Sequence, residues 1–420
     1  MVGLQVALKK LYGSNIQILQ YQTARYQKLM NEFKKKFKLE NGYFFSTPGR
    51  AEIGGNHTDH NNGCVLAGAV NFDSIAVALP TDNDIITVYS DGYEKGFVVD
   101  LKTKKPVENE KYTTNALIRG IAVRFLELGY NASGFNAVIS SDVLPGSGLS
   151  SSASVEVLIA TIFNTLFNQG IIAPDQLAII GQYAENKFFG KPCGLMDQTA
   201  CAFGGIISID FEDPAAPVIE QVNFDLGKYN YGLVVVNTGG DHADLTGDYA
   251  AIPKEMKEVA RVLGKKIARE LSRDEIIKNI RKLREKTTDR AVLRALHFVE
   301  ENKRAQIQIE KLKEKDFKSF LKLINESGIS SYCYLQNVFS IKRTKDQSVA
   351  LALELSSNFI NTIGEGACRI HGGGFAGTIL AFLPLTQIQA YSKLMESVFG
   401  EKSVVSLNFR FYGSVCLSDV

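Results

Sequence analysis

Apolar positions along this chain follow two periods, one of strands and one of helices, which alternate through most of its length. Phe135 to Ile139 form a short apolar segment that reads as a buried strand. After the turn that follows, Val155, Leu158, Ile159, Ile162 and Leu166 fall on one face at helical spacing. Ser74–Leu79 and Ile85–Tyr89 read as strands around the turn at Thr81-Asp82-Asn83-Asp84. Helices are expected from Asn115 to Leu128, ended near Gly129, and from Pro174 to Phe189, carrying Glu185. The middle of the chain changes character. From Pro253 to Glu285 and from Asp289 to Lys315 the pattern is long, charged and helical, with Val259, Val262, Leu263 and Ile267 as an apolar stripe.

The last third returns to mixed structure, with a helix over Val349–Phe359 and strands over Thr378–Leu383 and Ser403–Tyr412. Strands and helices interleave in both halves, which predicts mixed α/β or α+β layers rather than a helical bundle. With 420 residues the chain is long enough for two domains. The boundary is expected within 212–230, around Pro214 and Pro217, separating 1–215 from 216–420.

Charge narrows the function classes. Lys+Arg 47 against Asp+Glu 45 leaves +2, which points to neither nucleic acid nor a membrane surface. Any anionic ligand must be held by local groups. The six cysteines lack C-x-x-C spacing, which argues against zinc and against a disulfide framework. Met1 to Ser14 has no uninterrupted apolar core, and no stretch approaches the roughly 18 apolar residues of a membrane span. A soluble, reduced, cytoplasmic protein is expected.

The candidate chemistry lies in four segments. Pro145-Gly146-Ser147-Gly148-Leu149-Ser150-Ser151-Ser152-Ala153 joins a strand to a helix N-terminus, where free N–H groups and the helix dipole favour an anion. It lacks the Gly-Lys-Ser/Thr ending of the P-loop, and Ser151 stands where the dinucleotide fingerprint needs its third glycine. Pro48 to Asn61 packs an arginine, two carboxylates, two histidines and two asparagines into a Gly-rich run, donors and acceptors suited to a polyhydroxylated ligand. Lys191 to Gln198 sets one carboxylate, Asp197, among apolar and small residues, as a buried base or as a helix cap. Gly372–Gly377 is a glycine turn before a strand.

Together these segments resemble the signature set of the galactokinases, within the GHMP superfamily of small-molecule kinases. Pro48–Asn61 is similar to the galactose signature, Pro145–Ala153 to the second superfamily motif and Gly372–Gly377 to the third. Ala184–Gln198 resembles the stretch carrying the magnesium glutamate and the catalytic aspartate, and Arg294–Asn302 a helix typical of galactokinases. The resemblance implies an N-terminal S5-like α/β domain and a C-terminal ferredoxin-like α+β domain, with the active site in the cleft between them. It implies transfer of the γ-phosphoryl group of ATP to the carbon-1 hydroxyl of galactose. Gly146, Ser147, Gly148, Leu149, Ser150, Ser151, Ser152 and Ala153 would cradle ATP, with Ser151 or, preferably, Ser152 joining Glu185 on Mg2+. Asp197 would accept or orient the proton of the carbon-1 hydroxyl, and Arg50 would keep it ionised. Asn56, His57, Asp59, the Gly194–Asp197 segment and Tyr249 would bind the sugar, and Tyr112 aligns loosely with an aromatic near the adenine.

This chain departs from the family pattern at several points. Galactokinases usually place glutamate, which accepts from the carbon-6 hydroxyl, where this chain has Asn56, and tyrosine where it has His60. The arginine usual after the sugar-contacting tyrosine is absent, and His371 replaces a common threonine. The changes leave the phosphoryl-transfer residues intact and bear on carbon 6. A kinase for a carbon-6 variant such as galacturonate, or a non-catalytic galactose and ATP sensor, are the alternative readings. No nucleic-acid or membrane partner is expected, and the chain is expected to be a monomer or weak dimer.

Overall fold

A computed structural model describes residues 2–143, 148–240 and 245–420. Its strands are β1 (Tyr43–Gly54), β2 (Cys64–Pro80), β3 (Ile85–Ser90), β4 (Phe97–Asp100), β5 (Phe135–Ser141) and β6 (Ile206–Asp210). They continue as β7 (Val218–Val222), β8 (Tyr231–Asn237), β9 (Ala367–His371), β10 (Thr378–Pro384), β11 (Val404–Leu407) and β12 (Val415–Cys416). The first sheet runs β12-β1-β2-β5-β3-β4, with β6 also paired to β2 and β7 to β6. β2 is buried on both faces because its residues alternate between two cores. Ala76 and Ala78 meet Leu158, Ile162 and Phe163 of the helix Ser151–Asn168, while Ile75 and Val77 meet Tyr26, Leu29 and Phe33 of the helix Ile16–Phe37.

The second sheet is antiparallel throughout, in the order β11-β8-β10-β9. Counted along the chain from β8, that order is 4-1-3-2. With helices between β8 and β9 and between β10 and β11, this is the ferredoxin-like β-α-β-β-α-β arrangement. One face carries the helices Ser348–Ile363 and Ile388–Phe399. The other shares a core with the first sheet, Leu233, Val235, Leu380 and Phe382 lying in one cluster with Ala51, Ile53, Leu66 and Val70.

Several expected elements differ. The strands at 74–79 and 85–89 are present, but β5 inserts between them and pairs parallel to β3. The apolar run at 135–139 is buried on both sides only in that central place. The pattern from Pro253 to Glu285 is not one helix. It runs through Pro253 as Thr246–Val262, turns at Gly264 (φ +75), and resumes as Arg273–Lys278 and Ile280–Lys286. The helix from Pro174 is α-helical to Ala184 and widens into a π-turn over Glu185–Phe189. Only Val404–Leu407 of the segment 403–412 is strand, because Arg410 turns inward to a buried ion pair with Asp73 at 2.9 Å. The first sheet also draws β7 and β12 from beyond residue 215.

Candidate active site

The polar run beginning at Pro48 is not a loop at its start but the second half of β1. Register shifts flank a regular stretch in which Arg50, Ala51 and Glu52 face Ala69, Gly68 and Ala67. Arg50 and Glu52 therefore point to the same side of the sheet. Arg50 meets Asp197 with a two-pronged fork, Nε to Oδ1 at 2.8 Å and Nη2 to Oδ2 at 3.0 Å. Asp197 lies in the first turn of the helix Met196–Phe203, where the dipole favours a negative charge. Burial raises its pKa, but the charge and hydrogen bonds of Arg50 and the hydroxyl of Ser150 (2.5 Å) more than reverse this. The net shift is below the ordinary carboxylate value, so Asp197 is ionised at neutral pH. Its side chain keeps 34 % of its surface open, which leaves room for a reactant.

Arg50 also ties the loop at Gly148–Leu149 to β1. Its Nη1 donates to the carbonyl of Gly148 at 2.5 Å, and its backbone N–H to that of Leu149 at 3.0 Å. Gly148 has φ +75, and a Cβ there would lie 2.6 Å from Thr378 Oγ1 and 2.9 Å from His371 Nδ1. The loop thus rests directly on the third glycine motif. His371 Nε2 accepts from the Glu52 N–H at 3.1 Å, so its proton is on Nδ1 and is donated to Thr378 Oγ1 at 2.9 Å. Burial, then Arg50 and Arg369, push its pKa down to about 3. Leu149 and Ala153 pack into the cores, leaving only their backbone for a ligand, and Ser151 is half-buried. Pro145, Gly146 and Ser147 lie outside the described residues.

Ser152 and Glu185 lie side by side, Oγ to Oε1 at 3.5 Å. Glu185, 2 % exposed, is held by Lys191 at 3.2 Å and by Gln198 Nε2 at 3.0 Å. The same Gln198 nitrogen reaches Glu156 Oε2 at 2.9 Å, so one amide bridges two buried carboxyls. Burial, then the Glu185 charge, raise the Glu156 pKa well above the ordinary range.

A cavity of about 150 Å³ lies against Arg50, the partner of Asp197, and is lined also by Glu52, Asn56, His57, Asp59, His60 and Met196. A Cβ on Gly194 would stand 2.7 Å from Asp59 Oδ2, so glycine there allows the carboxylate its position. His57, at φ +59, donates Nε2–H to the carbonyl of Gly373 at 2.8 Å, and burial lowers its pKa to about 4. Tyr249 donates to the carbonyl of Gly374 at 2.9 Å, and its ring contacts Phe375 at 5.4 Å between centroids. It stands beside the cavity against Gly373. Tyr112 is exposed, at the end of the Glu185 turn, with its ring edge-on to Phe189 at 5.8 Å.

Asn56 also borders the cavity, but its side chain is completely buried and all four of its hydrogen-bonding positions are engaged by protein groups.

Comparison with known proteins gives the lineage. Residues 31–80 match the galactokinase galactose-binding signature, and residues 116–205 the GHMP kinases N terminal domain. A galactokinase of Haemophilus influenzae is 32 % identical over 356 residues, covering 83 % of this chain and 87 % of its own. One of Glaesserella parasuis is 29 % identical over 380 residues, covering 90 % and 94 %. The chain belongs to the galactokinase family. Its fold is that of Lactococcus lactis galactokinase, solved in complex with galactose, at a TM-score of 0.79 and 23 % identity over 93 % of this chain and all of that one. Mevalonate kinase of Methanococcus jannaschii shares the broader fold at a TM-score of 0.56 and 16 % identity, over 89 % of this chain and 99 % of its own.

Within this galactokinase fold, the helix Asp289–Lys313 supports the first motif, a task its sequence did not announce. His297 Nε2 bonds the Asn56 carbonyl at 3.0 Å, Glu301 accepts the Gly55 N–H at 3.1 Å, and Asn302 accepts the Cys64 N–H at 2.6 Å. Burial raises the Glu301 pKa, but Arg304, His297 and Arg369 outweigh it and bring the value to about 2. Glu52, Glu156, Gln198, Asn337 and Arg369 were likewise not singled out. Recognising β1 as a strand would have put Glu52 beside Arg50; Asn337 and Arg369 carry no local signal.

Proposed function

We propose that this protein transfers the γ-phosphoryl group of ATP to the carbon-1 hydroxyl of galactose. The observation that supports this most is the Arg50–Asp197 fork, placed where the Gly148–Ser150 loop and the small polar cavity meet. One side suits a polyphosphate, the other a hexose. The carbon-1 oxygen would form its bond to the γ-phosphorus as the bond to the ADP oxygen breaks, and the hydroxyl proton would pass to Asp197. A carboxylate held below its ordinary pKa is a weak base. The largely dissociative transition state of phosphoryl transfer asks little of the nucleophile until late, so orientation followed by late proton capture suffices. Arg50 would offset charge on the moving group, and Asp59, His57 and Tyr249 would hold the sugar.

Ser152 and Glu185 offer only oxygen donors, which suits Mg2+, a hard cation that takes few protein ligands and keeps phosphate and water oxygens for the rest. When bound it would neutralise charge on the β- and γ-phosphates. Among the described residues no helix is long and apolar enough to cross a membrane. The six cysteines are free, which supports a reducing, cytoplasmic setting. Turnover of purified protein against galactose, galacturonate, N-acetylgalactosamine and mevalonate tests the reading. Galactose should be strongly preferred, and preference for any other would overturn it.

A further inference from the structure

The cavity against Arg50 is bordered by a carboxylate with one oxygen that the protein leaves without a partner. Asn56 is not that group. Its Nδ2 donates to Glu52 Oε1 and to the Gly372 carbonyl, both at 2.8 Å, while Oδ1 accepts from Asn337 at 2.8 Å and Ser331 at 3.3 Å. A side-chain amide has two N–H donors and two lone pairs, and here all are consumed. Glu52, four residues earlier, uses only one oxygen this way. Its Oε1 takes Asn56 and Arg369 Nη2 (3.0 Å), whereas Oε2 has no hydrogen-bond partner among the described residues. Arg369 is completely buried, and its Nη1 donates to the Ile53 carbonyl at 2.6 Å, so it fixes the carboxylate and favours its charge against burial, which raises the Glu52 pKa.

We infer that Glu52 Oε2 is the acceptor for the carbon-6 hydroxyl of galactose, and that Asn56 acts as a positioning residue that aims it. The inference rests on the galactose reading of this site. Arg50 and Glu52 alternate on one face of β1 in regular register, so they lie about 7 Å apart along the strand. Arg50 holds Asp197, so a sugar with its carbon-1 hydroxyl at Asp197 would meet Glu52, one step along the strand, at a hydroxyl away from carbon 1. The carboxylate that this family usually supplies at position 56 is thus supplied from position 52. A fixed, partly desolvated carboxylate accepts from a hydroxyl and repels a carboxylate, so Glu52 selects galactose over galacturonate.

The test is Glu52→Gln, read by calorimetric binding of galactose and 6-deoxygalactose and by turnover of galactose and galacturonate. The new amide must keep its oxygen toward Arg369 and Asn56, both donors, so its nitrogen faces the cavity and the acceptor is lost. Wild type should bind galactose at least about tenfold more tightly than 6-deoxygalactose, and Glu52→Gln should shrink this ratio to about threefold or less. The galacturonate-to-galactose ratio of kcat/KM should rise at least about tenfold, a gain that simple loss of structure does not produce. Should the amide prevent folding, Glu52→Asp keeps a charge for Arg369 and withdraws the oxygen by one methylene, and the first ratio should fall there too. Equal loss of affinity for both sugars, or a wild type that does not distinguish them, overturns the role of Glu52. A wild type that binds neither sugar overturns the galactose reading itself, and the Glu52 role with it.

Discussion

Arg50 holds three groups with one guanidinium: both oxygens of Asp197 through Nε and Nη2, and the Gly148 carbonyl through Nη1. Charge-assisted forks of this kind fix geometry as well as charge. Glu185 is arranged differently, almost fully buried and held by Lys191 and Gln198, as suits a group that must stay in place while ATP comes and goes. If it ligates magnesium, Glu185→Gln should raise the Mg2+ concentration for half-maximal rate about tenfold, and Ser152→Ala by less. Initial rates against free Mg2+ at saturating sugar and ATP measure this; unchanged dependence in both variants would remove the pair from metal binding. These residues were legible because each lies in a short run whose spacing carries its meaning. Asn56 and Glu52 were not. In sequence both are polar residues of one segment, and only the distant partners Asn337, Ser331 and Arg369 decide which of them is consumed.

Among the elements, the helix Asp289–Lys313 shows how a surface-like pattern can serve a site. Its charged face reads as solvated, yet Glu301 is completely buried, taking the Gly55 N–H and bonded to Arg304 and Ser327. Glu301→Gln leaves Arg304, itself mostly buried, without its closest counter-charge. It should destabilise the protein by about 3 kcal/mol and raise KM for galactose while changing kcat little. Urea unfolding and steady-state kinetics at pH 7 read the two effects, and a variant as stable as wild type would show that the contact contributes nothing. The helix itself was visible in its period. The break at Gly264 and the strand character of Tyr43–Gly54 were less so, because both depend on packing against segments remote in the chain.

For the whole molecule, the alternation of periods was enough for the mixed architecture, since two sheets with helical layers are what such alternation can bury. The strand order was beyond it, as β5 entering between β2 and β3 and β12 returning to β1 are long-range pairings. Acid sensitivity is also a global property. His371, with its pKa lowered from 6.5 to about 3, stays neutral in the fold while the unfolded chain takes up a proton. Its stabilising effect is therefore complete above pH 6.5 and declines as pH falls toward 3. Glu301, lowered from 4.5 to about 2, adds a second decline below pH 4.5. Between pH 6.5 and 5 His371 alone should lower the unfolding free energy by about 2 kcal/mol. His57, lowered to about 4, and His297, also lowered by burial, act in the same interval, so His371→Gln, which keeps an acceptor and a donor, should reduce the slope there in urea titrations without abolishing it; an unchanged slope would assign it to those other groups.

The central claim is that Asp197, held ionised by Arg50, serves phosphoryl transfer to carbon 1 of galactose. The most direct measurement pairs phosphorus NMR of the product with kcat and calorimetric galactose binding for wild type and Asp197→Asn. Wild type should form ADP and galactose 1-phosphate in equal amounts. Asp197→Asn should bind galactose within about threefold of wild type and lose at least about a hundredfold in kcat. Phosphate on any other carbon, or an Asp197→Asn kcat within threefold of wild type, would contradict the claim.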